Sequence, residues 1–345
     1  MNSTINPQVL VPLVSSVPVV PTRWKVQDYI GAFRVRWGIK RDTYRVNPGL
    51  YKVGKPDSSS DVFVTANYKL SFDLLRKNLF FTNAWILVLD TKGINVWCAA
   101  GKGTFGTDEI VRRIQLTALN DIVSHRSLIV PQLGAVGVSA HEVKKHTGFR
   151  IVYGPVRASD IRDFVKNGYK ASERMRTIRF NLFDRLKLIP VELIVNIRYF
   201  LIALAIVLLL SALSLHGINL NNIAKWFPGA VFKLASAYLS GILIAPILLP
   251  IIPARSFALK GFYTGVLIVI SIYLIKNFNT SLFDSIAWFL IIPAGSSFFT
   301  LNFTGTSTYT SLSGVKKEMK IAIPLQIAAI LAGLIILIAG RLFEL

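Results

Sequence analysis

Ala84-Trp85-Ile86-Leu87-Val88-Leu89-Asp90 is an unbroken apolar run closed by an aspartate. A strand with one wet face alternates apolar and polar residues. A run without alternation is expected where a sheet is covered on both faces, as in parallel α/β sheets. The flanking segments agree. Asp61–Ala66 is rich in β-branched residues, Ile94–Trp97 reads as a short extended segment, and Leu128–Val130 and Arg150–Tyr153 read as further strands. Helices are predicted over 107–122, Ala140–His146 and Ala158–Asn167. The first opens on Thr107, Asp108 and Glu109, which suit a helix N-terminus, and Ile110, Ile114 and Ala118 recur on one face. Strands alternating with helices predict a small α/β domain over 61–180 with a parallel sheet. Its ligand is expected beyond the carboxyl ends of the strands. Residues 1–60 form an N-terminal arm and lead-in. Within it Val9–Pro21 is apolar but broken by Pro12, Pro18 and Pro21, so no secretory signal is expected there.

Composition changes sharply near Arg198. The chain has 345 residues, 52% of them hydrophobic, and a formal charge of +21, with mean hydropathy +0.51. Up to Arg198 there are 30 Lys and Arg against 15 Asp and Glu; after it there are 9 against 3. Residues 181–198 are read as a linker and 199–345 as a transmembrane domain. Five runs approach the roughly 20 apolar residues that cross a hydrocarbon core: Leu193–Leu215, Val231–Ile252, Phe257–Ile275, Leu282–Phe303 and Ile321–Gly340. No run carries a central Asp, Glu or Arg. Lys233 is expected at a span end, where its ammonium reaches the interface, and Asp284 in a loop, offsetting Lys276. Arg255 and Lys260 in the second loop, and Lys316, Lys317 and Lys320 in the fourth, place those loops and the α/β domain inside. The expected location is a cytoplasmic (inner) membrane, multi-pass, with the C-terminus outside. The basic balance fits the cytoplasmic face of a membrane better than nucleic acid, since no basic stripe interleaves with stacking aromatics.

Function should reside in the turn that follows, Asn95-Val96-Trp97-Cys98-Ala99-Ala100-Gly101-Lys102-Gly103-Thr104-Phe105-Gly106-Thr107. Three readings of it stand open. Gly101, Gly103 and Gly106 fit a dinucleotide fingerprint with Asp121 downstream, although Asp121 falls in a helical stretch. Cys98 alone could be a buried structural cysteine. Or Cys98 is a metal ligand or nucleophile, its thiolate favoured by backbone N–H groups and Lys102, with the small residues Ala99, Ala100 and Gly101 admitting a large flat ligand. One cysteine excludes internal disulfides and multi-cysteine metal sites. His141 and His146 are five apart, the wrong spacing for two ligands on one helix face. With His125 and His216 they offer no metal site.

The string NVWCAAGK (95–102) resembles the cap-helix signature of the HgcA family of mercury-methylating corrinoid proteins, relatives of the large subunit of the corrinoid iron–sulfur protein. The segment Val64-Thr65-Ala66-Asn67-Tyr68-Lys69-Leu70, the domain order and the five-span tail are similar too. The resemblance implies a Rossmann-like corrinoid-binding domain followed by an all-α transmembrane domain of five helices. It makes Cys98 the catalytic residue and the lower axial ligand of a cobalamin-type corrinoid's cobalt. Asn95, Val96, Trp97, Ala99, Ala100, Gly101, Lys102 and Thr65 would contact the cofactor. Tyr153, Gly154 and Pro155 join them from their place at a strand end. The implied reaction is methyl transfer to Hg(II) from a methyl–cobalt(III) form whose methyl is trans to the thiolate. A methylfolate-type system is the implied donor. A ferredoxin-like iron–sulfur protein would be both reductant and source of mercury. The soluble relative carries its own cysteine-bound cluster, which this chain lacks the cysteines to bind. Two other functions compete: a membrane-bound corrinoid methyl carrier of anaerobic one-carbon (acetyl-CoA pathway) metabolism, and a non-enzymatic membrane scaffold with a nucleotide-binding domain.

Overall fold

The computed structural model describes residues 16–214, 217–276, 281–305, 307 and 312–343. His216, most of the 306–311 loop and the arm before residue 16 lie outside them. The chain divides into two compact units: one of residues up to Val35 and Ile39–Ile178, the other of Arg36–Gly38 and Arg179–Leu345.

The first unit holds a five-stranded sheet of β1 (Gly49–Val53), β2 (Val62–Ala66), β3 (Ala84–Leu89), β4 (Ser127–Val130) and β5 (Arg150–Tyr153), in the order β1-β3-β2-β4-β5. Strands β3, β2, β4 and β5 run parallel. β1, contributed by the lead-in, pairs antiparallel to β3 along its whole length. The unbroken apolar run of β3 is explained by cover on both faces. Trp85, Leu87 and Leu89 join one buried cluster with Val62, Val64 and Phe105. Ala84, Ile86 and Val88 join the other with Phe63, Phe72, Ile129 and Phe164. Burying each large apolar side chain favours folding by about 1.5–3 kcal/mol, so this two-sided strand anchors the domain.

Helices of this unit are α1 (Val26–Arg36), α2 (Lys69–Asn78), α3 (Val96–Gly101), α4 (Thr107–Leu116), α5 (Leu119–Ile122), α6 (Ala140–Thr147), α7 (Ile161–Lys166) and α8 (Glu173–Arg176). Two sequence expectations are corrected. Ile94–Trp97 is not extended: Asn95 caps α3, its Oδ1 accepting the Cys98 N–H at 2.9 Å, and the helix-forming Ala99 and Ala100 follow. The helix expected over 107–122 breaks at Ala118, which adopts φ +46°. Just before it the Thr117 hydroxyl donates back to Arg113 O at 2.8 Å.

The second unit is helical: α9 (Leu182–Leu186), α10 (Ile189–Ser211), α11 (Leu220–Leu239), α12 (Ala245–Ile247), α13 (Phe257–Lys276), α14 (Leu282–Asn302) and α15 (Leu312–Leu342), with a short ladder between Leu213–Ser214 and Gly217–Ile218. Among the described residues five helical stretches are long and apolar enough to cross a membrane: Ile189–Ser211, Leu220–Ile247, Phe257–Leu274, Leu282–Gly305 and Ser313–Leu342. The expected linker therefore holds α9 and the first turns of α10. There Glu192 and Asn196 are buried, and Asn196 donates to Glu192 Oε2 at 3.1 Å while accepting from Asn302 at 2.8 Å.

Small residues set the helix crossings. A Cβ on Gly241 would meet Ser296 O at 2.5 Å, and one on Gly265 would meet Pro293 Cα at 2.6 Å. Ser240, Ser296 and Thr264 form a chain of hydroxyl contacts at 3.0 and 3.2 Å. Close backbone approach through small residues is the packing mode available where apolar surface gains nothing by leaving lipid. A π-helical turn at Ser240–Ile244 precedes Pro246 and absorbs the hydrogen bond that the proline cannot make.

Charge placement in this unit is a further correction. Lys233 lies inside α11 and is buried, and Asp284 lies buried in the first turn of α14. Lys233 Nζ donates to Asp284 Oδ2 at 2.5 Å, and Arg341 adds a contact to Oδ1 at 3.4 Å. The Trp288 ring lies 5.3 Å from Lys233 Nζ, and the Trp226 ring 3.6 Å from the Arg341 guanidinium. A paired ammonium need not reach an interface, so the expected snorkelling is unnecessary.

Candidate corrinoid cleft

The chain reverses direction between β3 and α3 through Lys92 (φ +57°) and Gly93 (φ +77°). Buried Asn67, just past the end of β2, holds this turn. Its Oδ1 accepts the N–H groups of Thr91 at 3.1 Å and Gly93 at 2.9 Å, and its Nδ2 donates to Asp90 at 3.2 Å. The Thr91 hydroxyl, 2.9 Å from the same Oδ1, donates to Ile94 O at 2.6 Å. Asn67→Leu strands the Gly93 amide without an acceptor, while the Thr91 N–H keeps Leu89 O at 3.1 Å, at a cost of about 1–3 kcal/mol. Hydrogen exchange at Gly93 should accelerate on the order of tenfold or more. Unchanged exchange would remove Asn67 as the holder of the turn.

The glycines after the cysteine serve backbone packing. Gly101 ends α3, and Gly103 turns the chain at φ +79°. A Cβ on Gly137 would meet Phe105 O at 2.2 Å and Ala100 Cα at 3.1 Å, so the loop after β4 closes directly on α3. The dinucleotide reading fails here. A helix stands between the strand and the glycines, and Asp121 sits in α5 rather than at a strand end.

Beyond the carboxyl ends of β2, β4 and β5 lies a cleft of about 350 Å³. β2 is flanked by β3 on one side and β4 on the other, so the connections leave in opposite directions at this point, the usual place for a ligand in an open α/β sheet. Of the residues predicted for the site, Thr65, Asn95, Val96, Trp97, Gly154 and Pro155 line the cleft. Thr65 is buried, and its hydroxyl makes no hydrogen bond among the described residues. Trp97 is 37% exposed, and Cys98 is exposed beside it on the first turn of α3. The buried-cysteine reading therefore fails. Gly101 and Lys102 are exposed at the far end of α3, where a Cβ on Gly101 would meet open space.

Six predicted residues do not line the cleft: Cys98, Gly101 and Lys102, which are exposed on and after α3, and Ala99, Ala100 and Tyr153. Ala99 and Ala100 turn inward and are buried against the core under α3. Tyr153 packs beside that core and donates to Val138 O at 2.8 Å; burial raises the pKa of its hydroxyl. Sequence reasoning missed Ser71 and Leu74 of α2 and Pro131 and Leu133 after β4. The strand-end rule pointed to Pro131, which directly follows Val130, but nothing in α2 signalled a ligand. His141 and His146 are exposed on α6, and no group of three metal-ligating side chains exists among the described residues.

A cleft of this volume is at the small end for organic ligands. A tetrapyrrole-sized ring would exceed it, and the exposed first turn of α3, which carries the Cys98 thiol, would be the surface left to hold the remainder. A buried hydroxyl, two small strand-end residues and an exposed soft donor fit a metal-bearing macrocycle of that kind.

Together these features define an α/β ligand-binding domain, with a helix-capped cleft at the sheet's switch point, joined to a bundle of membrane-length helices. Residues 36–165 match the family of the CO dehydrogenase/acetyl-CoA synthase delta subunit. The acetyl-CoA decarbonylase/synthase complex subunit gamma of Methanocaldococcus jannaschii is 33% identical over 148 residues, which are 42% of this chain and 30% of the relative. Its counterpart in Methanopyrus kandleri is 31% identical over 128 residues, 36% and 27% of the two chains. The corrinoid/iron–sulfur protein large subunit of Moorella thermoacetica is 29% identical over 124 residues, 35% and 27% of the two. The α/β unit is thus similar to subunits of the acetyl-CoA decarbonylase/synthase complex and to a corrinoid/iron–sulfur protein. This chain spans under a third of the length of each.

Proposed function

We propose that this chain is a membrane-bound corrinoid protein that carries a methyl group, with Cys98 as the lower ligand of cobalt. The observation that carries the reading is the exposed Cys98 thiol on the helix that caps a strand-end cleft, in a domain similar to a corrinoid/iron–sulfur protein. When bound, the corrinoid supplies a cobalt centre able to accept and release a methyl group. The chain's own residues do the rest. Asn95 fixes the first turn of α3 and so the position of the Cys98 sulfur. Trp97, Gly154 and Pro155 bound the space beside it, Thr65 offers a hydroxyl, and Phe63, Leu74, Ile129 and Ile161 keep the floor dry. As a soft ligand the Cys98 thiolate would suit the cobalt of a bound corrinoid and tune its electronics. The α/β unit faces the cytoplasm and the C-terminus lies outside. An external iron–sulfur protein supplies electrons, since the chain has one cysteine and no cluster of its own.

Two acceptors are in play. The likeness to acetyl-CoA decarbonylase/synthase gamma subunits supports a carrier serving one-carbon metabolism, for which a methylfolate-type donor is part of the proposal. The NVWCAAGK cap with its lone exposed thiol supports Hg(II). The test is anaerobic purification with added cobalamin and a ferredoxin-type reductant, followed by supply of methylfolate with either Hg(II) or acetyl-CoA synthase as acceptor. Methylmercury alone selects the mercury reading, and methyl passed only to the synthase selects the carrier. Colourless protein that binds no corrinoid sinks both.

A further inference from the structure

Helix α1 is built inside out. Its inner face carries Asp28, Ala32 and Val35. Asp28 pairs with Lys69 Nζ and Arg76 Nη2, each at 2.8 Å, and the same two cations also hold Asp73 of α2. Its outer face carries Val26 (73% exposed), Tyr29, Ile30 and Phe33 (62% exposed). These positions recur at the three- and four-residue spacing that puts them in one stripe along a helix. A soluble domain would turn such a stripe inward.

The border of the stripe is basic. Arg23, Lys25 and Arg34 are exposed, and Arg36, Lys40 and Arg41 follow. Asp28 is the one acidic residue between Arg23 and Arg41, and it is turned inward onto two cations. The outward face therefore combines exposed apolar side chains with an excess of positive charge, six cations against the exposed Asp42 that follows Arg41.

We infer that α1 is an interfacial membrane helix that lies on an anionic bilayer surface with Val26, Tyr29, Ile30 and Phe33 among the lipid headgroups. The inference rests on the membrane part of the proposed function and adds a second, peripheral attachment. An apolar stripe edged by Lys and Arg is the pattern of helices that lie in the plane of the interface. Each basic residue near an anionic surface favours attachment about five-fold. The other possible covers answer the charge poorly. A second copy would oppose six cations with six. Residues 1–15 contain no acidic side chain. The five membrane-length helices of the same chain put a bilayer within reach.

The full chain would be placed in nanodiscs of phosphatidylcholine alone or mixed with phosphatidylglycerol, with the photo-crosslinker p-benzoylphenylalanine at position 33. The expected result is a phospholipid adduct, several-fold more abundant in the mixed discs. It should fall to the neutral-disc level when Arg23→Glu, Lys25→Glu and Arg34→Glu are combined. All four positions are exposed, so thermal unfolding of the variants should not change. Insertion into discs without a lipid adduct, or with the adduct on residues 1–15 or on a second chain, overturns the interfacial helix and leaves the spans standing. Failure of the chain to enter discs at all overturns both.

Discussion

Cys98→Ala is expected to take methyl transfer below detection while leaving the fold intact. The thiol is exposed and makes no packing contribution, so the change in stability should stay within about 0.5 kcal/mol. The helix under it should persist, because its cap is the Asn95 side chain bonded to the backbone N–H of residue 98, which alanine retains. What disappears is the thiol; the chain has no second cysteine to replace it. The variant should still hold corrinoid through the cleft, with a changed visible spectrum. Cys98→His restores a ligand, but a weaker donor, and should bind the cofactor while transferring methyl poorly. Full activity in Cys98→Ala, or an unaltered spectrum, would remove the cysteine from the site.

Asp284→Ala should be the most damaging single change in the helical unit. The carboxylate is paired with Lys233 at 2.5 Å, and the two side chains are 6% and 4% exposed. Removing it leaves an ammonium buried among apolar side chains, at a cost of about 3–5 kcal/mol. Folded yield in mild detergent should fall, and the midpoint of unfolding in denaturant should drop well below wild type. Replacing both partners, Lys233→Met with Asp284→Leu, removes the buried ammonium but still deprives Arg341 of its carboxylate contact, so it should recover part of the loss. A mild effect of the single change, or a double variant as weak as the single, would contradict a structural ion pair.

The legibility of these features in the sequence follows from their physics. β3 was readable because a strand covered on both faces has no polar positions to interrupt it. β4, β5 and α6 followed from short apolar segments between turn residues, and the membrane-length helices from hydropathy alone. The reading of Ile94–Trp97 as extended failed because Val96 and Trp97 favour strands, whereas the Asn95 cap and the two alanines decide for helix. Lys233 falls at a span end only if the span starts with the apolar run at Val231; the helix begins at Leu220, which puts Lys233 inside it, and a partner 51 residues away leaves no local signal. Ala99 and Ala100 look alike to a sequence reader whether they make room for a ligand or for Gly137; only the tertiary approach of the 134–137 loop decides. Asn67 sat in a segment already noted for its resemblance, but its hold on the turn depends on a bond pattern across two strands.

Cobalt K-edge X-ray absorption on the chain reconstituted with cobalamin reads the axial ligand directly. A sulfur scatterer in the first shell of the wild type, absent from Cys98→Ala, is the result expected from the exposed thiol at the cleft. A wild-type shell of nitrogen and oxygen alone, the same in both proteins, would contradict it.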